Sequence, residues 1–223
     1  MATSCPGFAS YEVRSSGIVV VNGSVPTFAD GSAARNKLIE AWERFKQPVA
    51  RASKFSGIPA PWLMGVMLQE SGGNTRACSP CSICSSSLCE SGAGMQCCAF
   101  GLMQFIGPTA RQYGTTPDEI VSNPTKAIEV ASELLRDSVD RFGFDLPKIS
   151  AAYNAGSPRC GGKAGTTFGW VTNNDYPMKV VQYSNTAFEL GMTDAPSPVL
   201  GAVLLGALGV GVAWAIHTGR IRV

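Results

Sequence analysis

The stretch PAPWLMGVMLQESGGN, residues 59–74, sets an apolar run against a single carboxylate and then turns small and polar. Pro59 and Pro61 suit the first turn of a helix, so the run is predicted to be helical from its start. On a helix, Leu63, Val66, Met67 and Glu70 share one face through i,i+3 and i,i+4 spacing, and Glu70 ends that buried stripe. Apolar surroundings and the negative end of the helix dipole both disfavour the carboxylate form, pushing the pKa upward from its ordinary ~4.3. A glutamic acid that stays protonated near neutral pH can donate a proton to a glycosidic oxygen. The competing reading is an amphipathic glutamate at the rim of a core.

Helical periodicity continues on both sides. Leu38, Trp42, Phe45 and Val49 repeat at helical spacing from Ala33 onward, with Pro48 expected to kink or restart that helix. SNPTKAIEVASELLRDSVDRFG, from Ser122, is a helix capped by Ser122 or Asn123 and stopped by Gly143. DLPKISAAYNAG and YPMKVVQYSNTAFEL supply two more. Residues 1–32 read as an arm containing a short strand in GIVVVNGSV and a turn at Asn22-Gly23. The fold class is therefore mainly α.

Two further stretches sharpen the reading of Glu70. GLMQF, from Gly101 to Phe105, and AYNAG, from Ala152 to Gly156, follow the ES pair in the order in which soluble lytic transglycosylases carry their signatures. From about Asn36 to Leu190 the chain resembles that family, whose domains are lysozyme-like; the expected catalytic domain is 33–191. The resemblance implies that Glu70 is the single catalytic acid and base at the bond between N-acetylmuramic acid and N-acetylglucosamine. It further implies a 1,6-anhydro product, formed by the sugar's own 6-hydroxyl, and no cofactor or metal in catalysis. Ser71 would support the site near Glu70, Met103 would line the groove, and Gln104 would hydrogen-bond the glycan. Tyr153 would contact Glu70, and Asn154 would bind the sugar. Amides and a phenol give directional bonds without adding a second charge. No second carboxylate occurs in the three motifs, which favours help from the substrate's acetamido group, with muramidase-type hydrolysis as the alternative.

Where that family usually has a short loop, residues 76–99 form an insertion holding Cys78, Cys81, Cys84, Cys89, Cys97 and Cys98, six of the eight cysteines. Disulfides would staple a loop that has few apolar residues to bury, and an even count fits an oxidising final location. A structural zinc held by four of those thiolates is the alternative, and unpaired thiols come last. A cysteine nucleophile is disfavoured because the only histidine, His217, lies at the end of the apolar tail.

After a linker at 192–198, residues 199–216 contain no charged side chain and are expected to form a transmembrane helix, with Ala207, Gly211 and Ala215 as a small-xxx-small contact face. Arg220 and Arg222 in the tail at 217–223 would leave that end in the cytoplasm and the enzyme facing the periplasm and cell wall. A buried hairpin in an assembly is the competing reading of the same span. With a net charge of +2 and no dense basic stretch, nucleic acid is excluded as a partner. The expected partners are peptidoglycan strands, a membrane, and further copies of the chain or virion proteins. No secretory signal is visible at the N-terminus, which points to a virion-borne phage enzyme opening the cell wall during entry. The alternative function is a structural or pore-forming component that keeps the fold as a glycan-binding module.

Overall fold

A computed structural model describes residues 5–13, 19–21, 24–163 and 166–193. Seven helices and two small sheets occupy these residues. Ser32 caps the first helix, α1 (Ala33–Ser56), by accepting from the Arg35 N–H at 3.3 Å. The helix runs through Pro48 without a break. The helix does not restart there: Leu38, Phe45, Val49 and Ala52 bury along one side of it, and that packing outweighs the one backbone bond that proline forfeits.

The decisive stretch becomes α2 (Ala60–Ser71), and its burial differs from the single stripe expected. Every residue from Ala60 to Leu68 is buried, so this is a central helix enclosed on all sides rather than an amphipathic one. Its closest partner is α7 (Tyr176–Glu189), which packs against it antiparallel. Gly65 permits the approach: a Cβ there would stand 2.2 Å from Ser184 Oγ and 2.7 Å from the Val180 carbonyl oxygen. Any side chain at 65 would therefore force the two helices apart. Trp62 stacks on Phe144 with ring centroids 4.2 Å apart, and α1 and α5 (Pro124–Phe142) close the remaining sides. Asn123, one of the two expected caps, accepts from Lys126 N–H and starts α5. Asp145 does the same for α6 (Leu146–Ala155), where Gly156 ends the helix in the left-handed region at φ 77°. Two short helices, α3 (Gly107–Gln112) and α4 (Pro117–Ser122), lead into α5.

The strands are small. β1 (Tyr11–Val13) and β2 (Val19–Val21) pair antiparallel. The insertion, expected as a loop, holds a three-stranded sheet in the order β3-β5-β4, made of β3 (Cys78–Pro80), β4 (Glu90–Gly92) and β5 (Met95–Phe100). A two-residue turn at Ala93-Gly94, both with positive φ, joins β4 to β5. Adjacent residues on a strand face opposite ways. Cys97 and Cys98 exploit this, pairing respectively with Cys78 on the neighbouring strand and with Cys84. Cys81 bonds Cys89, and Cys5 bonds Cys160.

These pairings correct the zinc alternative. No free thiol remains, and among the described residues no cluster of His, Cys, Asp or Glu could hold a metal ion. The bonds run between elements rather than within a C-x2-C unit: Cys78 on β3 reaches Cys97 on β5, and Cys84, after the turn at 81–83, reaches Cys98 on β5.

The expected transmembrane helix is also corrected. Among the described residues no helix is long and apolar enough to cross a membrane. The most uniformly apolar one, α2, has 12 residues, about 18 Å at 1.5 Å per residue, and is enclosed by protein. The described fold is a mainly helical domain with a disulfide-stapled insertion. Residues 199–216 and the tail 217–223 lie outside the described residues, as does the turn at Asn22-Gly23.

Candidate active site

Glu70 sits in the last turn of α2. Gly72 caps that end at φ 62°, donating its N–H to the Leu68 carbonyl, and Gly73 follows at φ 83°. The two glycines take conformations that side chains resist, which lets the chain leave the helix sharply and stop burying residues at position 70. Ser71 serves the same turn: its hydroxyl donates to the Met67 carbonyl at 3.3 Å and accepts from the Gly73 N–H at 3.2 Å. The carboxyl of Glu70 is pushed up to about 7, chiefly by removal from water, against a smaller opposing pull from the hydrogen bond of Tyr176.

That phenol comes from the first residue of α7. The Tyr176 hydroxyl donates to Glu70 Oε1 at 2.5 Å, a consequence of the antiparallel α2–α7 packing that Gly65 permits. Sequence reasoning missed Tyr176, because it lies 106 residues from Glu70 and reads as an ordinary helix start before Pro177. Burial raises the pKa of Tyr153, with the charge of nearby Glu70 adding to it, yet its hydroxyl donates elsewhere, to the Met103 carbonyl at 2.8 Å. A buried phenol, Tyr176, thus bonds the carboxyl, and a half-buried one, Tyr153, lies near it.

The GLMQ turn is held from two directions. Gly101 donates its N–H to the Ala77 carbonyl at 2.7 Å, and Phe100 and Phe105 form a bridge across the turn. Met103 is fully buried; its side chain packs in the core, and its carbonyl is what it presents to Tyr153. Gln104 adopts φ 50°, an uncommon conformation for a residue with a side chain. Its amide N–H donates to the Gly101 carbonyl at 3.0 Å, and its Oε1 accepts from Ser79 Oγ of the insertion at 2.6 Å. One amide N–H and one carbonyl lone pair are left for a ligand. Asn154 Oδ1 accepts from the Asn173 N–H at 2.9 Å, which ties the end of α6 to the segment leading into α7. On the Tyr153 side a cleft of about 500 Å³ opens, lined by Tyr113, Asp137, Ala152, Tyr153 and Gly156.

A buried helix ending in a proton-holding glutamic acid, flanked by phenols and by side-chain amides on neighbouring turns, is the arrangement of an acid-base site for a neutral polar substrate. The family described as Transglycosylase SLT domain matches the chain over residues 47–170, more than half of its length. The chain belongs to that family. It is a transglycosylase-type enzyme of peptidoglycan degradation, binding glycan strands. No curated protein is significantly similar to it.

The Tyr176 bond has a consequence for pH dependence. Donation to the ionised carboxyl stabilises the carboxylate, so its removal in Tyr176→Phe is expected to raise the Glu70 pKa further. The alkaline limb of kcat/KM then moves to higher pH, measured by turnover of labelled peptidoglycan across pH 5–9. A limb moving to lower pH, or none at all, would contradict the assignment of this hydrogen bond.

Proposed function

We propose that the chain is a lytic transglycosylase that cleaves the bond between N-acetylmuramic acid and N-acetylglucosamine and leaves a 1,6-anhydromuramic end. Glu70 gives its proton to the glycosidic oxygen as the C1–O bond breaks, and the 2-acetamido group supports the electron-poor C1. The resulting carboxylate then removes the proton of the 6-hydroxyl as that oxygen closes on C1. No water is consumed, and Glu70 ends protonated as it began. Gln104 and Asn154 hold the sugar by their remaining amide groups, Ser71 and Met103 keep the Glu70 and Gln104 turns in place, and Tyr176 tunes the carboxyl.

The observation that carries this reading is the company Glu70 keeps. The side chain that hydrogen-bonds it is a phenol, Tyr176, a second phenol, Tyr153, lies near it, and the three motifs hold no second carboxylate to activate a water on the opposite face of the sugar. Mass spectrometry of digested peptidoglycan tests it: anhydromuramic ends are expected, and reducing ends alone would make the enzyme a muramidase. The four disulfides support a working place outside a reducing cytosol, where peptidoglycan lies. Local opening of the wall during phage entry is the role proposed for it; in a virion-borne chain these bonds would close after release from the cell.

A further inference from the structure

Beside the active site the insertion faces the segment that leads into α7. Between them lies a second cleft of about 620 Å³, lined by Ile83, Lys163, Thr172, Asn173, Asn174 and Asp175. It is joined to the catalytic groups at two points. Asn173 donates its backbone N–H to Asn154, and Asp175 immediately precedes Tyr176, the residue bonded to Glu70. A substrate held at Glu70 and Asn154 therefore has its neighbouring parts within reach of this cleft.

The lining says which part. Saccharides are held by aromatic faces together with hydrogen-bonding groups, and this cleft offers no aromatic ring. It offers instead one cation, Lys163, one carboxylate, Asp175, polar hydroxyls and amides, and one aliphatic side chain. Ile83 is 71% exposed, on a short turn at Cys81–Ile83 held by the Cys81–Cys89 and Cys84–Cys98 bonds. It sets an aliphatic side chain on this cross-linked loop at the lip of an otherwise polar cleft. Asp175 accepts a hydrogen bond from Thr167 Oγ1 through Oδ2, while its Oδ1 is buried with no partner among the described residues. Burying an acceptor unpaired is unfavourable, and a ligand donor would relieve it.

We propose that this cleft binds the peptide that peptidoglycan carries on its muramic acid, resting on the lytic transglycosylase reading above. Lys163 takes a carboxylate of the peptide, Ile83 covers its small aliphatic side chains, and Asp175 accepts from an N–H. The insertion is then a specificity element that distinguishes peptide-bearing strands from bare glycan.

The test is a binding comparison by isothermal titration, with a disaccharide-tripeptide and the same disaccharide stripped of its peptide as probes. Glu70→Gln serves as the background, so that neither probe is consumed. Losing one charge-assisted contact is worth on the order of 10-fold in affinity, so a peptide preference of about that size is expected, with Lys163→Ala and Ile83→Ser each drawing the ratio toward one. Both side chains are exposed or lie on the cleft surface, and circular dichroism of the variants checks the fold. Equal affinity of the background protein for the two probes, or an undiminished preference in the double variant, would overturn the proposal. Because binding is read without turnover, a protein that prefers the peptide but yields no anhydro ends would sink the catalytic reading and leave the cleft standing. Anhydro ends with no peptide preference would do the reverse.

Discussion

Glu70→Gln is expected to lower turnover on purified peptidoglycan by at least about 10², the low end for removing a positioned acid, while making the protein more stable above neutral pH. The two effects share one cause. In the folded chain the carboxyl is pushed up to about 7 from an ordinary 4.5 by burial. Between those values the native state holds a proton that the unfolded chain has released, so the folding free energy becomes less favourable as pH rises through this window. Below about pH 4.5 both states are protonated and nothing is lost. Above about pH 7 the loss is complete, and a shift of this size corresponds to about 3 kcal/mol. That figure is an upper bound, because Glu70 as a residue is only half-buried. Glutamine keeps an oxygen for the Tyr176 hydroxyl and carries no charge to desolvate. Thermal melts of both proteins at pH 4.5 and pH 8 should therefore coincide at the lower pH and separate at the higher, with the variant melting later. Unchanged turnover would sink the acid role and favour a glycan-binding module. An equal difference in melting at both pH values would sink the buried-acid account of Glu70.

The part of this site legible in the sequence is the part written in contiguous residues. Glu70 could be found because a charge closing an apolar helix needs explaining, and the two glycines after it mark where the helix must end. Gln104 and Asn154 could be found only through their motifs, since an amide on a turn has no pattern of its own. Tyr176 left no local signal: its role arises from how α7 lies on α2, and the residue permitting that approach is a glycine inside a helix, which in isolation only lowers helix propensity. The sheet in the insertion was hidden for a different reason. Its strands are short and rich in Ser, Gly and Cys, so no hydrophobic alternation announces them, and cross-links hold them alongside one small cluster of Cys97, Phe100 and Val121. Local propensity at Pro48 predicts an interruption because it does not register the core that Phe45 and Val49 enter on either side of it. The apolar span at 199–216 is legible by composition alone and lies outside the described residues, among which no helix is long and apolar enough to cross a membrane.

Removing the Cys5–Cys160 bond is expected to produce the largest loss of stability of any single cross-link. It closes 155 residues of chain, whereas the bonds of the insertion close 19, 8 and 14. A cross-link acts in large part by restricting the unfolded chain, and the restriction grows with the logarithm of the loop, giving about 5 kcal/mol for the long loop against about 3 for the short ones. Native contacts add to the difference. Cys5 is buried and donates its N–H to the Phe168 carbonyl, Ala9 donates to the Thr167 carbonyl, and Tyr11 sets its ring edge-on to Phe168 at 4.9 Å. The Tyr11 hydroxyl reaches Asp145, the cap of α6, at 2.9 Å. The N-terminal segment thus holds the loop between α6 and α7, and those two helices carry Asn154 and Tyr176. Cys5→Ser with Cys160→Ser should shift the denaturant midpoint down by more than the paired replacement of Cys78 and Cys97, with the remaining bonds kept oxidised in both. The folded fraction should retain turnover in mild conditions, because most of the effect lies in the unfolded chain. A loss no greater than that of the insertion pair would mean that the N-terminal segment's contacts already hold the α6–α7 loop without the bond, and that the unfolded chain is too compact for loop length to matter.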